Sequence, residues 1–480
     1  MIRNAWHFHY ALVLVIKVVC GASVLRCSHL NRALCSRAEI ITKVVIVSYF
    51  YEIAYAAESD RLCFFTGTGF SKAVTGNRAP SWQGLLESLC ELLTTKDEIK
   101  ASLFPEGKEM PLSLEETAQV IAIELQKVGK DIHKETAALI SKVAPSADGN
   151  ESIIEFFTER SFRIVTTNYD KLAESLCGGD VQSFAPGLPI PRSKSKVKVY
   201  HVHGSVDAPE DMVITSEDYF RFFHAESYFS RKLSTVLHEN TVVILGYSLG
   251  DTNLKSIMND YKKFTSDHAI GSSVIFVSRS PVSQYLKDYY SYCFGIRVID
   301  SMETKTFFEL LNDELPKVKG KHEASLDNLK NVLFRSHSFT KEYIKIENSF
   351  FEIIASINAS GLSLVNEKVI SLLANVIKVK RELTGESGAW EQYEQLAKWL
   401  VHLGSILDIG ATPLKDMYLE TVLRSMHTMR EELYVGYSWH AYKVWQRSWA
   451  SMTSHNRALV RAYILASSSW PDAHKVVKAA

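Results

Sequence analysis

The chain contains few cysteines and no Cys-x-x-Cys pair. Its 480 residues include seven cysteines, at positions 20, 27, 35, 63, 90, 177 and 293. A four-cysteine structural zinc module is built from two pairs of cysteines with two residues between the members of each pair. The spacing found here therefore excludes a zinc module of that kind.

The chain also lacks an excess of charge of either sign. Lysine and arginine together number 54, aspartate and glutamate number 54, and the formal net charge is zero. Since no global field attracts nucleic acid, we expect no direct nucleic-acid binding. One short basic run, residues 192–198, could form a local basic patch, although a solvated loop is the more common fate of such a run.

Proline is nearly absent from the last third of the chain. After Pro316 the sequence contains only Pro413 and Pro471, and apolar residues recur at helical spacing from about residue 325. This pattern predicts an α-helical domain over residues 322–480, which a lysine-rich linker connects to the preceding part of the chain.

Six of the eight tryptophans lie in this helical region. Among the aromatic residues, Tyr442, Trp445 and Trp449 would share one face of a helix. Two interpretations stay open for this stripe. It packs in the core of the domain, or it forms a surface that binds an activating partner or a nucleotide signal.

Four short segments with glycine or polar residues each follow or end an apolar, strand-like run. In chain order they are Phe65–Ser71, Thr166–Asp170, Val202–Ser205 and Gly246–Asp251. Apolar runs that alternate with helical segments predict a doubly wound parallel sheet with strands buried on both faces. All four segments could converge on one edge of that sheet, which is where α/β folds bind ligands.

The first segment has some features of a phosphate-binding loop. Gly67 and Gly69 would let backbone N–H groups approach a phosphate closely. However, Lys72 stands where the dinucleotide fingerprint has its third glycine, and the Gly-Lys-Ser/Thr of a P-loop is absent. Taken alone, the loop is equally consistent with a tight structural turn.

The second and third segments carry the side chains best suited to chemistry. Asn168 offers hydrogen-bond donors and an acceptor, and Asp170 offers an acceptor pair, although both are also good helix N-caps. His203 follows a strand, where a general base would be useful. His201 lies on the same face, which raises the alternative of a metal site, but a structural role for His201 is the simpler interpretation.

The fourth segment ends the most strand-like run of the chain, Val242–Leu245. Its Gly246 and Ser248 suit contact with a ribose or a phosphate. Residues 252–264 have helical spacing, and a further strand is predicted over residues 273–277.

Together the four segments resemble the SIR2-like domain of bacterial antiphage defence proteins. The resemblance covers about residues 58–315. It implies a Rossmann-like parallel sheet of the SIR2 type that binds NAD+, with a helical insertion near residues 82–155. The α-helical C-terminal domain over residues 322–480 is not covered and would be regulatory or partner-binding.

The resemblance also implies roles for individual residues. Asn168 and His203 would be catalytic, and no metal would be required. Contacts to NAD+ would come from the residues that line the pyrophosphate, the nicotinamide ribose and the rest of the nucleotide: Gly67, Thr68, Gly69, Phe70, Ser71, Asp170, Gly204, Ser205, Gly246, Ser248 and Asp251. The family usually has alanine where this chain has Thr68.

The family includes protein deacylases as well as effectors that consume NAD+. Deacylases of the sirtuin type carry a zinc module with two Cys-x-x-Cys pairs, which this sequence lacks. The favoured function is therefore hydrolysis of NAD+ to nicotinamide and ADP-ribose by an antiphage effector that depletes cellular NAD+. The alternatives are a sirtuin-like deacylase or ADP-ribosyltransferase, and a non-catalytic sensor of NAD+ or ADP-ribose. Expected partners are an activator protein or nucleotide signal from a neighbouring defence gene, and further copies of the chain.

The first fifty residues differ from the rest of the chain. The apolar stretch from Tyr10 to Leu25 has the outline of a signal peptide, but it is shorter than the about 20 apolar residues of a spanning helix. Export would separate an NAD-cleaving enzyme from cytosolic NAD+. We therefore interpret residues 1–50 as an atypical extension from a mis-assigned start, and expect a cytoplasmic protein without membrane segments that begins near Tyr51.

Overall fold

The computed structural model describes residues 49–107, 109–224, 235–248 and 274–478. Within these residues, seven strands form one parallel sheet. The strands are β1 (Leu62–Thr66), β2 (Phe162–Thr166), β3 (Val181–Phe184), β4 (Val197–His201), β5 (Thr241–Leu245), β6 (Val274–Val277) and β7 (Ile296–Ile299).

The order of the strands places β1 at a topological switch point. Across the sheet the order is β3-β4-β2-β1-β5-β6-β7, and every neighbouring pair is parallel. The chain first builds outward from β1 through β2, and then returns to the other side of β1 with β5. Ligands bind at the carboxyl ends of strands at such a point. The predicted Rossmann-like parallel sheet is confirmed.

The two central strands are buried along their whole length. β1 reads Leu-Cys-Phe-Phe-Thr and β5 reads Thr-Val-Val-Ile-Leu, which are the continuous apolar runs expected of strands covered on both faces. On one face the Phe64 ring meets Phe156 and Phe308 at centroid distances of 5.7 and 5.3 Å. On the other face Phe65 belongs to a cluster that includes Ile244.

Helices fill the segment between β1 and β2. Helix α1 (described over 49–58) precedes β1, and the insertion contains α2 (Thr68–Val74), α3 (Trp82–Cys90), α4 (Lys96–Leu103), α5 (Leu114–Lys127), α6 (Ile132–Ile140) and α7 (Glu151–Glu159). Leu86 and Leu89 of α3 pack with Ile121 and Leu125 of α5 in a small core of their own. The helical insertion expected from the resemblance is therefore present.

Further helices lie between the later strands and after the last one. They are α8 (Leu172–Ser175), α9 (Ser216–His224), α10 (235–239), α11 (Gln284–Phe294) and α12 (Thr304–Val318). The predicted helix over 252–264 lies outside the described residues.

The C-terminal part of the chain is helical, as predicted. Its helices are α13 (His322–Phe334), α14 (Lys341–Lys345), α15 (Ser349–Ala359), α16 (Glu367–Leu383), α17 (Trp390–Ile406), α18 (Lys415–His427), α19 (Trp439–Ser448), α20 (Ser454–Ser467) and α21 (Pro471–Lys478). Tyr442, Trp445 and Trp449 are all buried, so the aromatic stripe packs in the core. Among the described helices, we find none whose length and apolar character would let it traverse a bilayer.

Helix α1 joins the sheet to the C-terminal helices. Tyr49 and Phe50, which the sequence assigned to the N-terminal extension, are both buried. The Phe50 ring meets Phe307 at 5.2 Å, and the Arg297 guanidinium lies over the Tyr49 ring. The folded part of the chain thus includes these two residues, and the expected start near Tyr51 would remove their contacts. The rest of residues 1–50 lies outside the described residues.

Candidate functional site

The segments after β1, β2, β4 and β5 meet at the carboxyl edge of the sheet. They surround a first cavity of about 380 Å³. Five of the predicted site residues line it: Thr68, Ser71, Asn168, Asp170 and His203. This volume lies within the range typical of small-molecule sites, roughly 300–1,000 Å³.

The loops after β1 and β5 are tied together by backbone hydrogen bonds. The Gly67 amide donates to the Leu245 carbonyl at 3.0 Å, and the Gly69 amide donates to the Gly246 carbonyl at 2.8 Å. The Phe70 amide donates to the Gly67 carbonyl at 2.9 Å. These three N–H groups therefore bond to protein, whereas the sequence analysis expected the loop amides to be free for phosphate.

The glycines of these loops are required by this close backbone packing. A Cβ atom on Gly69 would lie 2.7 Å from the Gly246 Cα, and one on Gly246 would lie 2.1 Å from the Phe70 nitrogen. Gly246 also has a φ of +75°, which L side chains rarely adopt. The close packing of the two loops therefore explains why glycine occupies these positions.

Asn168, Ser71 and Asp170 form a chain of hydrogen bonds along the cavity wall. The Asn168 Nδ2 donates to Ser71 Oγ at 2.8 Å, and Ser71 Oγ donates to Asp170 Oδ2 at 2.7 Å. Ser71 is buried, and its hydroxyl proton is engaged with Asp170. The Ser71 side chain, one of the predicted contacts to NAD+, thus links the Asn168 and Asp170 side chains.

Asp170 combines the two roles that the sequence left open. Its Oδ1 accepts the Leu172 amide at 3.0 Å at the start of α8, while its Oδ2 accepts from Ser71 on the cavity wall. Burial raises the pKa of Asp170, although the hydrogen bonds from Ser71 and Leu172 oppose this effect.

His203 is a buried, neutral imidazole at the cavity. Burial lowers its pKa to about 4, so the ring carries no charge near neutral pH and can accept a proton. Its ring packs edge-on against Tyr219 and Phe222 of α9, with centroid distances of 5.4 and 5.1 Å. The Tyr219 side chain also lines the cavity.

His201 does not share a site with His203. Its Nδ1 lies 2.9 Å from the Asn168 backbone oxygen, and its Nε2 lies 2.7 Å from Glu174 Oε1. In the part of the chain that the structure describes, no group of three or more His, Cys, Asp or Glu residues could hold a metal ion.

A second cavity of about 640 Å³ lies beside the first, beyond the ends of β5 and β6. Four predicted residues line it: Thr68, Gly69, Gly246 and Ser248. The cations Lys72, Arg279 and Lys305 line it together with one carboxylate, Glu303, and this excess of positive charge favours an anionic group in the ligand.

Four predicted residues support the loops and are absent from the lining of both cavities: Gly67, Phe70, Gly204 and Ser205. The Phe70 ring stacks on Phe157 in the core. Gly204 has a φ of +90°, and a Cβ there would lie 2.6 Å from the Met212 Cα. Asp251 lies outside the described residues.

Sequence reasoning missed four aromatic residues of the cavity: Trp82, Tyr169, Tyr219 and Tyr247. Tyr169 stands between Asn168 and Asp170 in the second segment, so the sequence could have identified it. Tyr247 lines both cavities, its ring stacks on Phe65, and its hydroxyl lies 2.6 Å from Thr167 Oγ1. Tyr247 stood inside the fourth segment, so its position could have identified it. Trp82 and Tyr219 reach the cavity through tertiary packing, for which the sequence gives no local signal.

Comparison with known proteins identifies part of the chain. Residues 163–299 match the family model described as a SIR2-like domain. This match includes Asn168 and His203, while the loop after β1 lies before it.

Three proteins are similar to parts of the chain. Defense-associated sirtuin 2 of Bacillus subtilis is 23% identical over 266 residues, which are 53% of this chain and 24% of that protein. NAD(+) hydrolase ThsA of Cytobacillus dafuensis is 23% identical over 214 residues, 43% of this chain and 39% of that protein. NAD(+) hydrolase ThsA of Bacillus cereus is 30% identical over 99 residues, 20% of this chain and 21% of that protein. The matched part is less than half of each relative's length.

Proposed function

Because this chain contains a SIR2-like domain, we propose that it hydrolyses NAD+ to nicotinamide and ADP-ribose. The observation that carries the proposal is the first cavity, where the Asn168 amide and a neutral His203 both line the wall at the switch point of the sheet. Two of the similar proteins are named as NAD(+) hydrolases, which supports the same chemistry.

The two neighbouring cavities suit the two halves of NAD+. Nicotinamide and its ribose would occupy the first cavity, beside Asn168 and Asp170. The adenosine half would occupy the second cavity, beside Ser248, and the cations there would offset the negative charge of the pyrophosphate. Thr68 and Tyr247 line both cavities, so they would lie at the passage between the halves.

The reaction breaks the bond between the nicotinamide nitrogen and C1′ of the ribose. Nicotinamide leaves as a neutral molecule, and positive charge develops on the ribose in an oxocarbenium-like transition state. Asn168 would orient the attacking water or the ribose hydroxyls, and Asp170 would supply negative potential. The neutral His203 would take the proton that the water or a ribose hydroxyl loses as the new C–O bond forms.

We place this activity in an antiphage effector of the cytoplasm that depletes cellular NAD+. Defense-associated sirtuin 2 is among the similar proteins, and its name refers to defence. An enzyme that removes NAD+ must be held inactive until infection. The proposal therefore includes an activator, protein or nucleotide, from a neighbouring defence gene, and assembly of several copies of the chain.

Product analysis separates hydrolysis from its alternatives. The full chain is incubated with NAD+ labelled in adenosine, with and without an acetyl-lysine peptide and with and without extract of infected cells. Nicotinamide and ADP-ribose in equal amounts without peptide would support the proposal. Release of nicotinamide only in the presence of the peptide would indicate a deacylase, and transfer of the label to protein would indicate a transferase. Binding of NAD+ without release of nicotinamide would indicate a sensor. Each of these three outcomes would contradict the proposal.

Variants link the products to the cavity. We expect Asn168→Ala and His203→Ala each to lower nicotinamide release by about 100-fold or more, since each removes a group acting on the reacting atoms. His402→Gln is the matched control, because His402 is also buried but packs against Phe351 in the C-terminal helices. Full turnover by either cavity variant would remove the assigned role.

A further inference from the structure

His201 is a completely buried histidine that the chemistry above does not use. It is the last residue of β4 and has no exposed surface. Its ring bridges two parts of the chain, because Nδ1 lies 2.9 Å from the Asn168 backbone oxygen and Nε2 lies 2.7 Å from Glu174 Oε1. His201 is thus bonded to the main chain of a residue on the cavity wall without lining the cavity.

Both ring nitrogens of His201 face oxygen atoms that accept hydrogen bonds. A backbone carbonyl can only accept, so Nδ1 must donate. An ionised carboxylate also only accepts, so Nε2 must donate to Glu174. A ring that donates from both nitrogens is the imidazolium cation.

The surroundings of Glu174 keep its carboxylate ionised. Burial acts to raise the pKa of Glu174, but the contacts with Lys171 and Ser183, which do not depend on the charge of His201, act to lower it. Lys171 Nζ lies 2.9 Å from Glu174 Oε1, and it lies 2.9 Å from Asp207 Oδ2 as well. The Ser183 hydroxyl donates to the same Glu174 oxygen. Glu174 is therefore a fixed counter-ion at the Nε2 edge of the ring.

Asn168 is held at three points. Its backbone N–H donates to Thr166 Oγ1 at 3.0 Å, its backbone oxygen accepts from His201, and its Nδ2 donates to Ser71 Oγ at 2.8 Å. Of these, the bond from His201 comes from a charged donor, and charge-assisted hydrogen bonds are the stronger kind. It fixes the orientation of the peptide group on the C-terminal side of Asn168.

We propose that His201 is a positioning residue which, as an imidazolium paired with Glu174, holds the main chain of Asn168 and so aims its amide into the cavity. The proposal rests on the proposed function of Asn168 in NAD+ cleavage. Neither histidine of the His201–Val202–His203 run is then a metal ligand. The first orients the amide, and the second faces the substrate.

Kinetics of His201→Gln test this role. Displacement of a catalytic group by about 1 Å costs roughly 100-fold in rate, so we expect kcat to fall by about 10-fold or more while KM for NAD+ stays within about two-fold. His402→Gln, the loss of another buried histidine, should leave kcat within about two-fold. Unchanged kcat in His201→Gln, or a change in KM alone, would overturn the proposal.

The pairing of His201 with Glu174 allows a second kinetic test. Glu174→Gln removes the counter-ion, so it should lower kcat as His201→Gln does. The double variant should then fall no further than either single variant, because the two residues act as one unit. Independent, additive losses would contradict the proposed pair.

A spectroscopic readout separates this proposal from the proposed function. In protein labelled with ¹⁵N, the His201 ring should show both nitrogens protonated, and the Asn168 side-chain amide signal should shift in His201→Gln but not in His402→Gln. If the signals change as expected in a chain that never releases nicotinamide, the proposed function is contradicted but the positioning role of His201 is supported. If the Asn168 signal is unmoved in His201→Gln, the positioning fails whatever the turnover.

Discussion

Individual buried histidines among the described residues differ in their neighbours. His201 lies between a carbonyl oxygen and a carboxylate, the arrangement for which we proposed a cation. His203 and His402 are surrounded mainly by apolar and aromatic groups, and burial lowers the pKa of each to about 4. The two neutral rings resist protonation in the folded chain, although both would protonate near their ordinary pKa of 6.5 when the chain unfolds.

Because these histidines are neutral in the folded chain, we expect the protein to lose stability in acid. As pH falls from about 6.5 toward 4, the unfolded chain binds protons that the folded chain does not, so the free energy of unfolding decreases. Between pH 7 and pH 5 each histidine should account for roughly 2 kcal/mol of this decrease. Denaturant titrations at both pH values should therefore show a decrease about 2 kcal/mol smaller in His402→Gln. An identical pH dependence in variant and parent would contradict the assignment of a neutral His402.

At the scale of elements, the site depends on contact between the loops after β1 and β5. The two strands pair in parallel over Leu62 to Thr66, and the loops that follow continue the contact through backbone hydrogen bonds. Three glycines occupy this contact, and Tyr247 covers it from the side of the cavity. A change in the loop contact should therefore alter both cavities together.

Gly246→Ala tests this contact against a matched control. Gly246 and Gly388 share a φ of +75°, but nothing lies within 4 Å of a Cβ on Gly388, whereas one on Gly246 would strike the Phe70 nitrogen. The backbone conformation alone costs about 1 kcal/mol, which both variants would show. We expect Gly246→Ala to lose about 2 kcal/mol more in denaturant unfolding, because the loops must separate. Equal losses in the two variants would show that the loop contact does not constrain Gly246.

On the scale of the whole molecule, helix α1 connects the seven-stranded sheet to the C-terminal helices. Glu52 of α1 accepts two hydrogen bonds from Arg297 of β7, at 2.7 and 2.8 Å, and the two side chains are only 7% and 9% exposed. On its other side α1 reaches α15, where the Tyr55 hydroxyl lies 2.8 Å from Ser356 Oγ. All described residues accordingly belong to one compact unit.

Loss of one partner of the buried pair should destabilise this unit strongly. Glu52→Gln leaves the Arg297 charge buried without its carboxylate, and such changes cost about 3–5 kcal/mol. Glu91→Gln is the control, since Glu91 pairs with Lys96 and Lys100 at the surface, where water and salt screen an ion pair and it contributes little to stability. Thermal unfolding should show a much lower midpoint for Glu52→Gln alone. A shift no larger than that of the control would mean that the α1 contact is not held by this pair.

The sequence was sufficient for the strands that are continuous apolar runs and insufficient for the edges of the sheet. β1 and β5 are wholly apolar apart from threonine, whereas β3 reads Val-Gln-Ser-Phe and β7 contains Arg297. Edge strands need less burial, so their composition gives a weaker signal. The convergence of Asn168 and His203 followed from their places after parallel strands. The side chains from α3 and α9 that complete the cavity depend on packing between distant elements.

The most direct test of NAD+ depletion is the NAD+ level in cells that express this chain with its neighbouring genes, with and without phage. An Asn168→Ala, His203→Ala double variant serves as the comparison. We predict that NAD+ falls sharply only in infected cells that carry the intact residues, because in the proposed function infection activates the cleavage of NAD+ in this cavity. Stable NAD+ in every condition, with phage protection intact, would contradict hydrolysis as the function of this cavity.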